Sequence, residues 1–230
     1  MQPHDFWQTI HPPGSPDTAG PFAGFFPAQL SDGSQLALPI RPLADGEHAL
    51  ASLIINQASF DVQDALAASL APRLANFRPE VIVGLPTLGL TLAAAVARTL
   101  GHTRYVPLGT SRKFWYDETL SVPLSSITTP EQKKRLYVDP RMLPLIQGKR
   151  VALVDDVISS GASIIAALSL MQSLDVEPVV IGAAMLQSER WHERLDAFGT
   201  GWRPRVVGAF ATPLLRKAGD GTWESDASVD

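Results

Sequence analysis

The chain has 230 residues, 45% of them hydrophobic and 18% charged, which is enough apolar material for one substantial core. Its formal net charge of -4 gives no global basic field for nucleic acid or an anionic membrane, and the absence of cysteine excludes disulfides and thiolate metal sites. No uninterrupted apolar stretch is long enough to cross a bilayer, and no basic-then-apolar leader opens the sequence, so a cytoplasmic location without membrane or nucleic-acid partners is expected.

Residues 1–21 are rich in Pro, Gly and His and predict an irregular amino-terminal arm. Within residues 22–48, two apolar stretches at 24–30 and 35–40 flank Ser31-Asp32-Gly33-Ser34, a turn sequence that predicts a β-hairpin. Leu50, Leu53 and Ile54, then Val62, Leu66, Leu70 and Leu74, recur at helical spacing and predict two amphipathic helices. A strand at 81–84, a tight loop and an Ala-rich helix at 90–100 form a β-α unit, and further apolar strands are expected at 105–108, 151–154, 179–186 and 206–210. The alternation predicts an α/β fold, a doubly wound parallel sheet of about five strands, with its core over residues 49–217. The connection between the second and third strands is too long for a plain loop, so residues 109–140 are expected to form a flexible lid. The tail, residues 218–230, is rich in Gly, Asp and Ser and is expected to fray.

Chemistry concentrates at Val-Ala-Leu-Val-Asp155-Asp156-Val-Ile-Ser159-Ser160-Gly161-Ala162-Ser163. A continuous apolar run suits a central strand buried on both faces, and open parallel sheets bind ligands at the carboxyl ends of their strands. The small-residue loop opens an apolar helix, so backbone N–H groups and the positive helix end face the loop, a natural seat for an anion. Three serine hydroxyls can donate to it, Gly161 lets the backbone approach closely, and the two carboxylates can accept hydrogen bonds from vicinal sugar hydroxyls. Leu85-Pro86-Thr87-Leu88-Gly89 follows the first core strand; its amides and the Thr87 hydroxyl could contact phosphate oxygens, although a plain strand-to-helix turn would use the same Pro and Gly.

This string resembles the signature of the type I phosphoribosyltransferases, which bind 5-phosphoribosyl 1-diphosphate (PRPP). The resemblance implies that Asp155 and Asp156 hold the ribose hydroxyls, that Ser159, Ser160, Gly161, Ala162 and Ser163 cradle the 5-phosphate, and that Pro86, Thr87, Leu88 and Gly89 form the diphosphate loop. Adenine-type relatives often carry a basic residue in that loop, and this chain does not. Arg112 and Lys113 stand where adenine- and xanthine-type members have an Arg-Lys pair that reaches the diphosphate. In the same relatives a Tyr-containing acidic segment carries the proton-transfer carboxylate, which makes Asp139 a candidate and Glu118 its fallback, with Lys113 alongside. Relatives acting on 6-oxopurines such as hypoxanthine and guanine place an aspartate where Ser159 stands, so the resemblance leans towards the adenine, xanthine or orotate side, and the Arg-Lys pair tilts it towards the first two, with an adenine-type purine as the expected substrate.

The resemblance further implies Mg²⁺ arriving with PRPP, with modest help from Asp155 or Asp156, a homodimer, and a base-reading hood built from terminal segments. Phe114, Trp115 and Tyr116 in the insertion could stack on a base or pack back on their own domain. Lys133, Lys134 and Arg135 suit a solvated lid. A non-catalytic PRPP-binding regulator with the same pocket is the alternative to a transferase.

Overall fold

The computed structural model describes residues 1–124, 134–219 and 221–226. The amino-terminal part runs through Ile10–His11 (β1), Phe25–Gln29 (β2), Gln35–Pro42 (β3) and His48–Ala51 (β4). β2 and β3 form the expected hairpin, in which Gly33 takes a φ of 85° and Leu30 N donates to Ser34 O at 2.8 Å. The helix Phe60–Ala75 (α1) then starts at Ser59, whose hydroxyl accepts from Val62 N and supplies the cap.

The core follows as Val81–Gly84 (β5), Gly89–Thr99 (α2), Val106–Pro107 (β6), the insertion strands Ser121–Pro123 (β7) and Arg135–Tyr137 (β8), and the short helix Leu143–Ile146 (α3). It continues with Val151–Ile158 (β9), Ala162–Ser173 (α4), Val180–Gln187 (β10), Trp191–Phe198 (α5) and Val206–Thr212 (β11), and the chain ends in Leu215–Gly219 (β12) and Thr222–Ser225 (β13). Five parallel strands in the order β11-β10-β9-β5-β6 form the central sheet, as the apolar runs predict. Ala152 and Val154 of β9 pack in one apolar cluster with α1 and α2, while Val151 and Leu153 pack in another with α4 and α5, so alternate residues of one strand serve two layers.

A second, antiparallel sheet in the order β1-β3-β4-β12-β13, with β2 also on β3, joins the two ends of the chain into a hood. Here the sequence expectations need correction. Leu50 lies in β4 and not in a helix, because β4 is paired on both edges, by β3 and by the distant β12; residues 55–57 add only a single 3-10 turn. The tail does not fray over its described part, since Trp223 is buried with Phe22, Ile40, Ala49 and Leu215 and exchanges two backbone hydrogen bonds with Phe22. The arm is anchored in the same way by β1 and by buried Trp7, whose indole N–H donates to Ser52 O at 3.0 Å.

The insertion between β6 and β9 is built as a hairpin at its base. β7 pairs antiparallel with β8, and Arg135 stitches them by donating from Nε to Ser121 Oγ and from a terminal nitrogen to Ser121 O. Leu136, Tyr137 and Val138 are buried against the core, so the lid expected over residues 109–140 cannot extend through them. Lys133 lies outside the described residues. No helix among the described residues is long and apolar enough to cross a membrane.

Candidate functional site

β9 runs further than its apolar residues alone predict. Asp155, Val157 and Ile158 stand opposite Ala183, Met185 and Leu186 of β10, so the acidic pair lies within the strand and not beyond its end. That register takes Asp155 out of water. Its carboxyl is buried, and burial followed by the neighbouring charge of Asp156 pushes its pKa well above the ordinary carboxylate range. Asp156 is half-buried and also shifted upward by burial, and its N–H donates to Asp155 Oδ1 at 2.9 Å.

The loop after β5 comes against this pair. Leu85 N donates to Val154 O at 2.9 Å, the Pro86–Thr87 peptide is cis, and α2 begins at Gly89. A Cβ on Gly89 would lie 2.7 Å from Asp155 Oδ1 and 2.8 Å from Asp155 Cα, so only glycine permits this approach. Beyond Ile158 the chain turns through Ser159 and Ser160 to Gly161, whose φ of 75° opens α4. Among the described residues, the N–H groups of Ser160 and Gly161 donate to no protein acceptor, which leaves them for a ligand at the start of a twelve-residue helix. Ala162 is partly covered and Ser163 exposed in the first turn.

The insertion residues form a different constellation. Arg112 pairs with Glu118 at 2.9 Å in an exposed loop, and Lys113 is exposed beside them. Asp139 is buried and accepts from Arg141 N at 2.9 Å, from the Arg141 guanidinium and from the Trp115 indole N–H at 3.2 Å. Hydrogen bonds from Arg141 hold its carboxyl far below the ordinary range. Trp115 lies under the Arg141 guanidinium, its ring centre 4.5 Å from the guanidinium carbon, and the Tyr116 ring lies tilted with its centre 5.7 Å from that of Tyr137, so these two aromatics pack back on their own domain. Phe114 is 96% exposed.

A cavity of about 340 Å³ opens at the carboxyl ends of β10 and β11. Its lining includes Ser188, Trp191, His192, Thr212, Leu214 and Asp226. Trp191 Nε1 and Thr212 Oγ1 are both buried without a hydrogen-bond partner among the described residues. Burial, then the charge of Arg203, lowers the pKa of His192, and its Nδ1 sits 2.8 Å from an Arg203 nitrogen, an arrangement for a neutral imidazole accepting at Nδ1. Trp191 also backs the serine loop, since a Cβ on Gly161 would lie 3.3 Å from its Cβ. These residues carry no motif in the sequence. Their signal is position, at the carboxyl end of the strand next to the acidic one.

Among the described residues no group of three or more His, Asp or Glu is placed to hold a metal ion. With Asp155 buried and shifted towards its neutral form, the donor set suits Mg²⁺ only as an ion carried on ligand phosphates, with half-buried Asp156 as one protein oxygen within its reach.

Comparison with known proteins accounts for this arrangement. The family model described as the phosphoribosyl transferase domain matches residues 51–199. The transcriptional regulator GfcR of Archaeoglobus fulgidus is 34% identical over 51% of this chain and 51% of its own. The adenine phosphoribosyltransferase of Albidiferax ferrireducens is 31% identical over 48% of this chain and 53% of its own, so the chain spans about half the length of these relatives. Among solved structures, adenine phosphoribosyltransferase from Saccharomyces cerevisiae, complexed with adenine and an imino-altritol bisphosphate, superposes with a TM-score of 0.54 at 20% identity, covering 75% of this chain and 93% of that one. The enzyme from Giardia lamblia gives 0.53 at 20% identity over 66% and 80% of the two chains, a likeness of fold alone. With the family model covering the acidic strand, the serine loop, the Gly89 turn and four of the five strands of the parallel sheet, this chain belongs to the phosphoribosyl transferase family and has its type I fold.

Proposed function

We propose that the protein transfers the 5-phosphoribosyl group of PRPP to a nitrogen of a nucleobase, an adenine-type purine, and releases diphosphate. The observation that carries this reading is a serine loop with open N–H groups at the start of α4, directly after the acidic pair in β9: a phosphate seat next to two acceptors for sugar hydroxyls. In this reading Asp155 and Asp156 accept from the ribose hydroxyls, the loop from Ser159 to Ser163 holds the 5-phosphate, and Thr87, Leu88 and Gly89 face the diphosphate. As the C1–O bond breaks, negative charge grows on the leaving diphosphate, and Arg112 and Lys113 would reach it once Arg112 exchanges Glu118 for phosphate oxygens. Mg²⁺, when bound, supplies further neutralisation of that charge.

The cavity suits an uncharged ring as acceptor, since its lining carries the carboxylates of Glu189 and Asp226 and no lysine or arginine. A cytoplasmic salvage role and a homodimer follow from this reading.

A second reading, a PRPP-binding regulator, is favoured by one feature. The two carboxylates proposed for proton transfer are each bound to an arginine, Asp139 to Arg141 and Glu118 to Arg112, and a relative matched over half this chain is a transcriptional regulator. A diphosphate-release assay with PRPP, Mg²⁺ and a panel of bases separates the two. The transferase reading predicts turnover with adenine or another uncharged purine and none with orotate. PRPP binding without diphosphate release for any base would establish the regulator instead.

A further inference from the structure

Arg190, which neither the sequence motif nor the family match singles out, lies at the mouth of the serine loop. Its guanidinium donates from Nε to Ser188 Oγ at 3.1 Å and from a terminal nitrogen to Ser159 Oγ at 2.8 Å. Among the described residues it has no carboxylate within ion-pair distance, whereas Arg112, Arg141, Arg203, Arg205 and Arg216 are each paired with an acid. What sets Arg190 apart is its place: one of the two hydroxyls that hold its guanidinium belongs to the phosphate loop, whereas Arg135, also without an acid among the described residues, is held by Ser121 in the insertion hairpin.

The holding device is built into the fold. Ser188 is buried with a φ of 57°, a conformation that costs a non-glycine residue about 1 kcal/mol or more, and its N–H donates to Thr212 O at 2.8 Å. That turn carries the chain from the end of β10 back towards β9 and fixes the hydroxyl that anchors Nε. One terminal nitrogen then reaches the first residue of the phosphate loop. Because Ser159 Oγ accepts from Arg190, its own O–H is left to donate outward, to the same anion that the loop amides face.

We infer that Arg190 is a binding residue for the 5-phosphate of a phosphorylated ribose, supplying from the turn between β10 and α5 the positive charge that the serine loop lacks, with Ser188 as its positioning residue. The inference rests on the proposed PRPP site and adds to it a charged contact at the phosphomonoester end, away from the leaving diphosphate. Phosphate and guanidinium match as a fork, so lysine would restore charge without geometry.

Calorimetric titration of the full chain with PRPP, ribose 5-phosphate and inorganic diphosphate, each with Mg²⁺, tests this. Arg190→Gln is expected to weaken PRPP and ribose 5-phosphate by at least about tenfold and leave diphosphate unchanged, with Arg190→Lys and Ser188→Ala in between. A melting temperature equal to the wild type would show the loss to be local. Wild-type affinity for both ribose ligands in Arg190→Gln, or an equal loss for diphosphate, overturns the assignment of Arg190 while leaving the PRPP site intact. A wild-type protein that ignores PRPP removes the proposed function, and the role of Arg190 falls with it.

Discussion

A chain carrying both Asp155→Asn and Asp156→Asn is expected to bind PRPP at least about a hundredfold more weakly than the wild type and yet to melt at a higher temperature. The binding loss follows from the acceptor chemistry. Each Asn puts an NH₂ group where a carboxyl oxygen accepted, so a hydroxyl on either ribose carbon loses an acceptor; at roughly 1–3 kcal/mol for each such loss, the pair amounts to about two decades in affinity. The stability gain follows from burial. The folded pKa of Asp155 lies above its ordinary value of 3.8, so between these two values the folded chain keeps a proton that the unfolded chain has lost. Stability therefore declines as pH rises through that window and stays at the lower level above it. Asparagine carries no such charge and can still accept from Asp156 N through its side-chain oxygen. Each kcal/mol relieved raises the melting temperature of a chain this size by about 2–4 °C. Thermal melts from acid to neutral pH should show the two proteins alike in acid and the variant increasingly ahead as pH rises. Coincident melts at neutral pH would mean that the pair is not strained by burial.

Gly89→Ala should cost both stability and binding. Alanine is the better helix residue by roughly 1 kcal/mol, and Gly89 is the first residue of α2, so local propensity favours the substitution. The new methyl group would nevertheless sit 2.7 Å from Asp155 Oδ1 and 2.8 Å from Asp155 Cα, and backbone on a central strand cannot yield cheaply. Overpacking of this kind costs about 1–3 kcal/mol, which outweighs the propensity gain. The strand and the loop would part, so the sugar-binding pair and the diphosphate loop would lose their common geometry, and PRPP affinity should fall at least about tenfold. Gly101→Ala serves as a contrast. Gly101 has a φ of 79° with nothing within 4 Å of a Cβ, so its cost is conformational alone and PRPP binding is expected to persist. Equal affinity for PRPP in Gly89→Ala would show that the close approach is not part of the site.

The parallel sheet was legible in the sequence because its strands are apolar runs whose partners all obey one local rule, and the phosphate loop was legible because small residues at a strand-to-helix turn form a short contiguous motif. The hood was only half legible. A turn at Asp32-Gly33 announces its own hairpin, but β4 is held between β3 and β12, and the second of these lies more than 160 residues later, a partner that nothing local at Leu50 records. Trp223 reads as part of a loose tail until Phe22 is seen across from it. The acidic pair was found by motif, yet its burial depends on a register against Ala183 that spacing does not reveal. Arg190 and Ser188 were missed for a related reason: their contact with Ser159 spans two strands, and the device depends on a left-handed serine that no residue pattern marks. Asp139 read as a proton-transfer candidate because its sequence neighbourhood looked right, whereas its carboxylate is engaged by Arg141 and Trp115.

The central claim is that the end of β9 and the loop after it form a seat for an activated phosphoribose. Calorimetric titration of the wild-type protein with PRPP in the presence of Mg²⁺ is the most direct measurement. One saturable site per chain is predicted, with affinity that falls as ionic strength rises, because the seat combines open amides with cationic side chains. The absence of any binding heat, together with an unchanged melting temperature at saturating PRPP, would contradict it.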